Sequence, residues 1–165
     1  MPRRLLRDRR IVVDEWLYVA EAAADASAPL IVTFAQWQME PDTWIGRGSP
    51  LGVVLPPAGL EQLAPDLEYF SLIAAEFAGP SEGRGYTQAR LLRERWNFKG
   101  ELRATGYVRR DQLFFMARCG FNSFELPEAD IEDAHTAFST FSAAYQPSND
   151  LGLAVKLRRD IPASV

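Results

Sequence analysis

Apolar residues along the chain fall into short runs divided by clusters of Gly, Pro, Asn and Asp. Five runs predict strands, at residues 30–33, 51–55, 70–77, 101–106 and 121–126. The run at 70–77 is almost wholly apolar, as expected of a strand covered on both faces. Between the runs the apolar spacing changes to three and four residues, which predicts helices. Thr33-Phe34-Ala35-Gln36 has capping-box spacing, so a short helix starts there and ends near Pro41, whose ring and missing amide hydrogen disfavour continuation. Residues 59–67 predict a helix disturbed by Pro65, residues 86–96 one stopped by the Asn97 to Gly100 segment, and residues 109–119 one stopped by Gly120. The clearest helix spans 131–145, with Ile131, Ala134, Phe138, Phe141 and Tyr145 on one face.

The ends of the chain are less patterned. Residues 11–20 read as a strand interrupted by Asp14-Glu15-Trp16, and 21–29 as a loop. Residues 153–157 would add an edge strand or stay loose. The chain thus divides into an N-terminal extension with room for an edge strand (1–29), an α/β domain (30–146) and a C-terminal tail (147–165). Strand–helix alternation with short connections implies parallel pairing and right-handed crossovers. The expected fold is therefore α/β: one domain of repeating βα units around a mainly parallel sheet of four to five strands. It is either a half-barrel or a flavodoxin-like open sheet, and a half-barrel would leave edges that favour a homodimer. Strand 101–106 puts Glu101, Arg103 and Thr105 on one face and Leu102, Ala104 and Gly106 on the other. A strand sandwiched between two helix layers does not carry a charged face, so this one lies at an edge or faces a polar cleft or barrel interior.

Charge changes the picture more than composition does. The 165 residues carry a formal charge of −4, but residues 1–10 sum to +4, 11–83 to −10, 84–118 to +6 and 119–165 to −4. A basic block in an acidic chain meets an anionic ligand, an acidic partner, or the chain's own acids. Nucleic acid is a poor candidate, because the net charge is acidic and no binding module frames the arginines. One cysteine cannot form an internal disulfide or hold an iron–sulfur cluster, and one histidine argues against a Cys/His zinc site. No cofactor is evident. No run of 18 apolar residues is present, so no membrane span is expected, and the arginine-rich start lacks the apolar core of a targeting peptide. The chain reads as cytoplasmic, with those arginines solvated.

The candidate site follows from the fold, because parallel α/β proteins bind ligands beyond the carboxyl ends of their strands. That rule gathers Glu76, Thr105 and Glu125, with Arg103 one pleat deeper and Arg84 and Asp111 in the loops behind. Together they offer acid, base and cation for an oxyanion. The alternative is a structural pairing of Glu76, Arg103 and Glu125 that fills the interior. In the loop Gly79 to Gly85, glycines and a helix start allow close approach by sulfite, sulfate or phosphate, with Arg84 as a bidentate clamp. The spacing matches neither the dinucleotide fingerprint nor the phosphate loop. Cys119 at a helix end reads as packing rather than as a nucleophile.

The run Gly83-Arg84-Gly85-Tyr86-Thr87-Gln88-Ala89-Arg90-Leu91-Leu92-Arg93-Glu94-Arg95 resembles the signature of the domain of unknown function 934 family. So do Gly100-Glu101-Leu102-Arg103-Ala104, Asp111-Gln112-Leu113, Arg118-Cys119-Gly120-Phe121, and the ending from Ala137-Phe138 to Ala144-Tyr145-Gln146. The resemblance covers roughly residues 30–146. It implies a bacterial protein described as an oxidoreductase involved in sulfite reduction, encoded beside the sulfite reductase haemoprotein. The family supplies no established catalytic residues, and Tyr107 stands here where it usually has Asp. Two functions are therefore expected to compete. One is an accessory protein of assimilatory sulfite reduction, docking on the haemoprotein or its electron donor through the 84–118 block and carrying no redox centre. The other is a small α/β enzyme binding an oxyanion at the strand ends.

Overall fold

The computed structural model describes residues 3–21 and 27–138. Its strands are β1 (Arg4–Arg7), β2 (Arg10–Val13), β3 (Leu17–Tyr18), β4 (Leu30–Thr33), β5 (Leu51–Leu55), β6 (Leu72–Phe77), β7 (Glu101–Gly106) and β8 (Ser123–Phe124). Its α-helices are α1 (Phe34–Met39), α2 (Pro41–Ile45), α3 (Leu60–Leu63), α4 (Arg84–Glu94), α5 (Leu113–Cys119) and α6 (Glu128–Ile131). All eight strands join one sheet in the order β2-β1-β8-β7-β6-β5-β4-β3. From β3 to β8 the pairing is parallel and follows chain order, while β1 is antiparallel to both β2 and β8.

The sheet is larger than the pattern predicts, and part of it is antiparallel. The arginine-rich start is not a solvated tail. It forms the β1–β2 hairpin, turning at Asp8 and Arg9 with φ of 49° and 64°. Positive φ at both central residues lets a two-residue turn follow the right-handed twist of the strands. Chain-order pairing identifies a half-barrel rather than a flavodoxin-like sheet, whose strand order reverses.

The sheet curls strongly. Only four residue steps separate Val13, the end of β2, from Leu17, the start of β3, yet these strands are the two edges. Four steps span at most about 14 Å. Seven spacings in a flat sheet would need about 33 Å. The Tyr18 hydroxyl on edge strand β3 also donates to Glu125, just beyond β8, at 2.7 Å.

Alternation along the strands separates two faces. Leu30, Val32, Val53, Leu55, Ile73, Ala75, Phe77, Leu102 and Phe124 face outward, into one core with Trp37, Leu63, Leu92 and Met116 from the surrounding helical segments. The inner face holds a small apolar cluster of Trp16, Ile31, Leu72 and Ala74, and beside it a polar group. The capping box before α1 is present: Gln36 N–H donates to the Thr33 hydroxyl, and Thr33 N–H donates to the Gln36 side chain. The helix predicted over 131–145 is instead α6 followed by a 3-10 turn over Ala134–Phe138, and residues 139–145 lie outside the described residues. The edge strand considered at 153–157 lies outside them as well.

Candidate functional site at the inner face of the sheet

Arg103 occupies the middle of β7, between Ala74 of β6 and Ser123 of β8 in register. Period two sends its side chain to the inner face, where it is fully buried. A buried guanidinium requires partners for every N–H, and three carboxylates supply them. Nε and one terminal nitrogen donate to Glu101 at 3.1 and 2.9 Å. Both terminal nitrogens donate to Asp14, a two-pronged contact at 2.9 and 3.0 Å, and one of them also donates to Glu125 at 3.0 Å. The five contacts match the five N–H groups of the fork.

The carboxylates are held in turn. Asp14 follows β2, and its backbone N–H donates to the Arg3 carbonyl. Its carboxylate also accepts from Arg3 Nε at 2.9 Å and from the Trp16 amide at 3.1 Å, so both of its oxygens accept twice. Glu125 accepts from the Tyr18 hydroxyl at 2.7 Å and the Thr105 hydroxyl at 2.9 Å. Arg7 approaches Glu101 at 3.5 Å. Three carboxylates thus face Arg103, Arg3 and Arg7. Burial alone would lower the pKa of Arg103, but the Asp14 bond and the charges of Glu101, Asp14 and Glu125 outweigh it and drive the pKa up. The Tyr18 pKa is also raised, first by burial and then by the charge of Glu125.

Of the six residues predicted for the site, the structure gathers Arg103, Thr105 and Glu125. Glu76 is the register neighbour of Thr105 but is exposed, with no ion pair or side-chain hydrogen bond among the described residues. Arg84 is exposed at the first position of α4, and Asp111 is exposed in the 3-10 turn Arg110–Gln112 that precedes α5. The Arg84 backbone N–H already donates to the Glu82 carboxylate at 3.0 Å, so the chain's own acid sits where an anion would. A Cβ at Gly79 or Gly83 would meet nothing within 4 Å, whereas one at Gly85 would lie 2.6 Å from the Phe77 ring. Gly85 therefore serves helix–sheet packing.

Sequence reasoning missed Asp14 and Tyr18, and it placed Glu101 on the face of Arg103 without including it in the site. The signal for Asp14 was an acid interrupting an apolar run, which here marks a buried charge pair. Among the described residues no group of His, Cys, Asp and Glu is arranged to hold a metal ion, since the carboxylates of the inner face point at Arg103. Among them, too, no helix is long and apolar enough to cross a membrane. Cys119 is buried at the end of α5, and burial pushes its thiol pKa up, which disfavours the thiolate.

A curled, mostly parallel sheet with helices outside and a saturated arginine inside defines the class of α/β half-barrel. Residues 52–155 match the model of a family described as bacterial protein of unknown function (DUF934). The chain belongs to that family. None of the curated proteins compared matches the sequence. Glu101, Arg103, Thr105 and Glu125 lie within the matched region, whereas Arg3, Asp14 and Tyr18 precede it.

Proposed function

We propose that the protein is an accessory protein of assimilatory sulfite reduction, docking on the sulfite reductase haemoprotein or its electron donor without a redox centre of its own. The observation that supports this reading is the saturation of Arg103. A guanidinium with five own-chain contacts has no N–H to give a substrate oxyanion. Arg93 is likewise committed, donating to the carbonyls of Phe98, Gly100 and Gly120. The other seven cations of residues 84–118 lie on the exterior, partly or fully exposed, so the block remains basic where a partner would meet it.

The partner comes from the family resemblance; the chain's single thiol excludes an iron–sulfur cluster, which takes four, and the sequence carries no dinucleotide fingerprint. An oxyanion bound at the start of α4 would compete with Glu82, which already accepts from the Arg84 backbone N–H. Binding of the purified chain to the haemoprotein, measured from low to high salt, tests the proposal. Binding that weakens as ionic strength rises is expected for contacts between exposed charges. No binding at low salt would overturn it.

A further inference from the structure

We infer that the seam between α4 and α5 is the docking surface, and that it takes an acidic protein face with an apolar recess for Phe115; this rests on the accessory reading above. Phe115 is 56% exposed, unusual for a phenylalanine. It is not loose, because its ring packs on Tyr86 at 5.1 Å and Tyr86 packs edge-on against buried Phe77 at 5.1 Å. The core thus backs an aromatic residue that projects outward, the arrangement of an interface anchor.

The charges around the anchor are mixed, with arginine in excess. Arg90 stands one helical turn beyond Tyr86 on α4 and Arg118 three residues beyond Phe115 on α5, while Glu94 lies 3.8 Å from Arg90 and Asp111 sits in the turn before α5. Arg84 is exposed at the start of α4, beside Tyr86 in sequence. Arginine and aromatic side chains together are what protein interfaces are enriched in. Acidic protein is favoured over nucleic acid because no nucleic-acid-binding module frames these arginines, whereas arginine beside an exposed aromatic suits a protein face of opposite charge.

The test uses the full chain and the purified sulfite reductase haemoprotein at low salt. Phe115→Ser and Arg90→Glu are each expected to weaken binding at least ~tenfold, as loss of an anchor and reversal of a flanking charge do. Arg95→Glu makes the same charge change outside the seam, where Arg95 stacks on Trp96 and lies 3.5 Å from Glu61. Its effect should stay below about threefold. Hydrogen exchange on the unaltered complex should slow amides within 84–94 and 113–119, a readout independent of how the variants fold. If the haemoprotein binds while these amides and both seam variants are unaffected, or all three variants weaken binding equally, the seam inference falls and the accessory reading stands. If the unaltered chain does not bind, both fall. Tighter binding to single-stranded RNA than to the haemoprotein would overturn the choice of an acidic protein.

Discussion

Replacing Arg103 by methionine keeps most of the side-chain volume and removes the positive charge. Arg103, Asp14, Glu101 and Glu125 have side-chain exposures of 0%, 1%, 10% and 18%. Arg103→Met would therefore leave three largely buried carboxylates around an apolar group, with Arg3 and Arg7 at the margin. Breaking a buried pair by removing one partner costs about 3–5 kcal/mol. Against a total stability of about 5–15 kcal/mol, such a loss brings the fold near its limit. With a urea dependence of about 2 kcal/mol per molar, a 4 kcal/mol loss lowers the midpoint by about 2 M. Equilibrium urea unfolding followed by tryptophan fluorescence reads this directly, since Trp16 lies at the inner face. Adding Asp14→Asn should recover part of the loss, because one uncompensated carboxylate becomes neutral. A midpoint for Arg103→Met within experimental error of wild type would refute a buried, mutually dependent charge cluster.

Tyr18 has a raised pKa in the folded state, so its contribution is fully present below the unfolded phenol value of about 10 and is lost as pH rises above it. Stability should fall more steeply on the alkaline side in wild type than in Tyr18→Phe, measured by urea unfolding at stepped pH; equal slopes would contradict the assignment. Gly106 has φ of +84°, and a Cβ there would lie 2.4 Å from the Phe77 carbonyl oxygen, so Gly106→Ala should cost more than about 1 kcal/mol in unfolding free energy. The Ser123 hydroxyl is buried beside Arg103 without a hydrogen-bond partner among the described residues, so Ser123→Ala should leave stability unchanged or raise it by about 1 kcal/mol, and a clear loss would reveal a partner. Cys119 should resist alkylation in the native protein and react once it is unfolded, which mass spectrometry after a timed iodoacetamide pulse would show.

Strands buried by the helices were legible because their apolar runs are bounded by turn residues. The predicted bounds 30–33, 51–55 and 101–106 agree with β4, β5 and β7. Period two in 101–106 also placed Arg103 and Thr105 on one face, and the barrel interior considered for that face is where they lie. The β1–β2 hairpin was not legible: its strands are rich in arginine, and its turn is Asp-Arg rather than the Asn-Gly that signals such turns. Arg4 explains part of that composition, since it reaches Glu128 and Glu132 at α6 from the outer face. Asp14 read only as a break in an apolar run because its main partner is 89 residues away, and local spacing does not say which residue a buried acid will meet once the sheet curls. The helix predicted over 131–145 is interrupted after Ile131, where Glu132 and Asp133 precede a 3-10 turn.

Calorimetric titration of one preparation with sodium sulfite and, separately, with the sulfite reductase haemoprotein sets docking directly against anion chemistry. A chain whose central arginine is committed to its own acids should give no binding heat with sulfite and a salt-sensitive isotherm with the haemoprotein. Saturable sulfite heat abolished by Arg84→Ala, with none from the haemoprotein, would contradict the account.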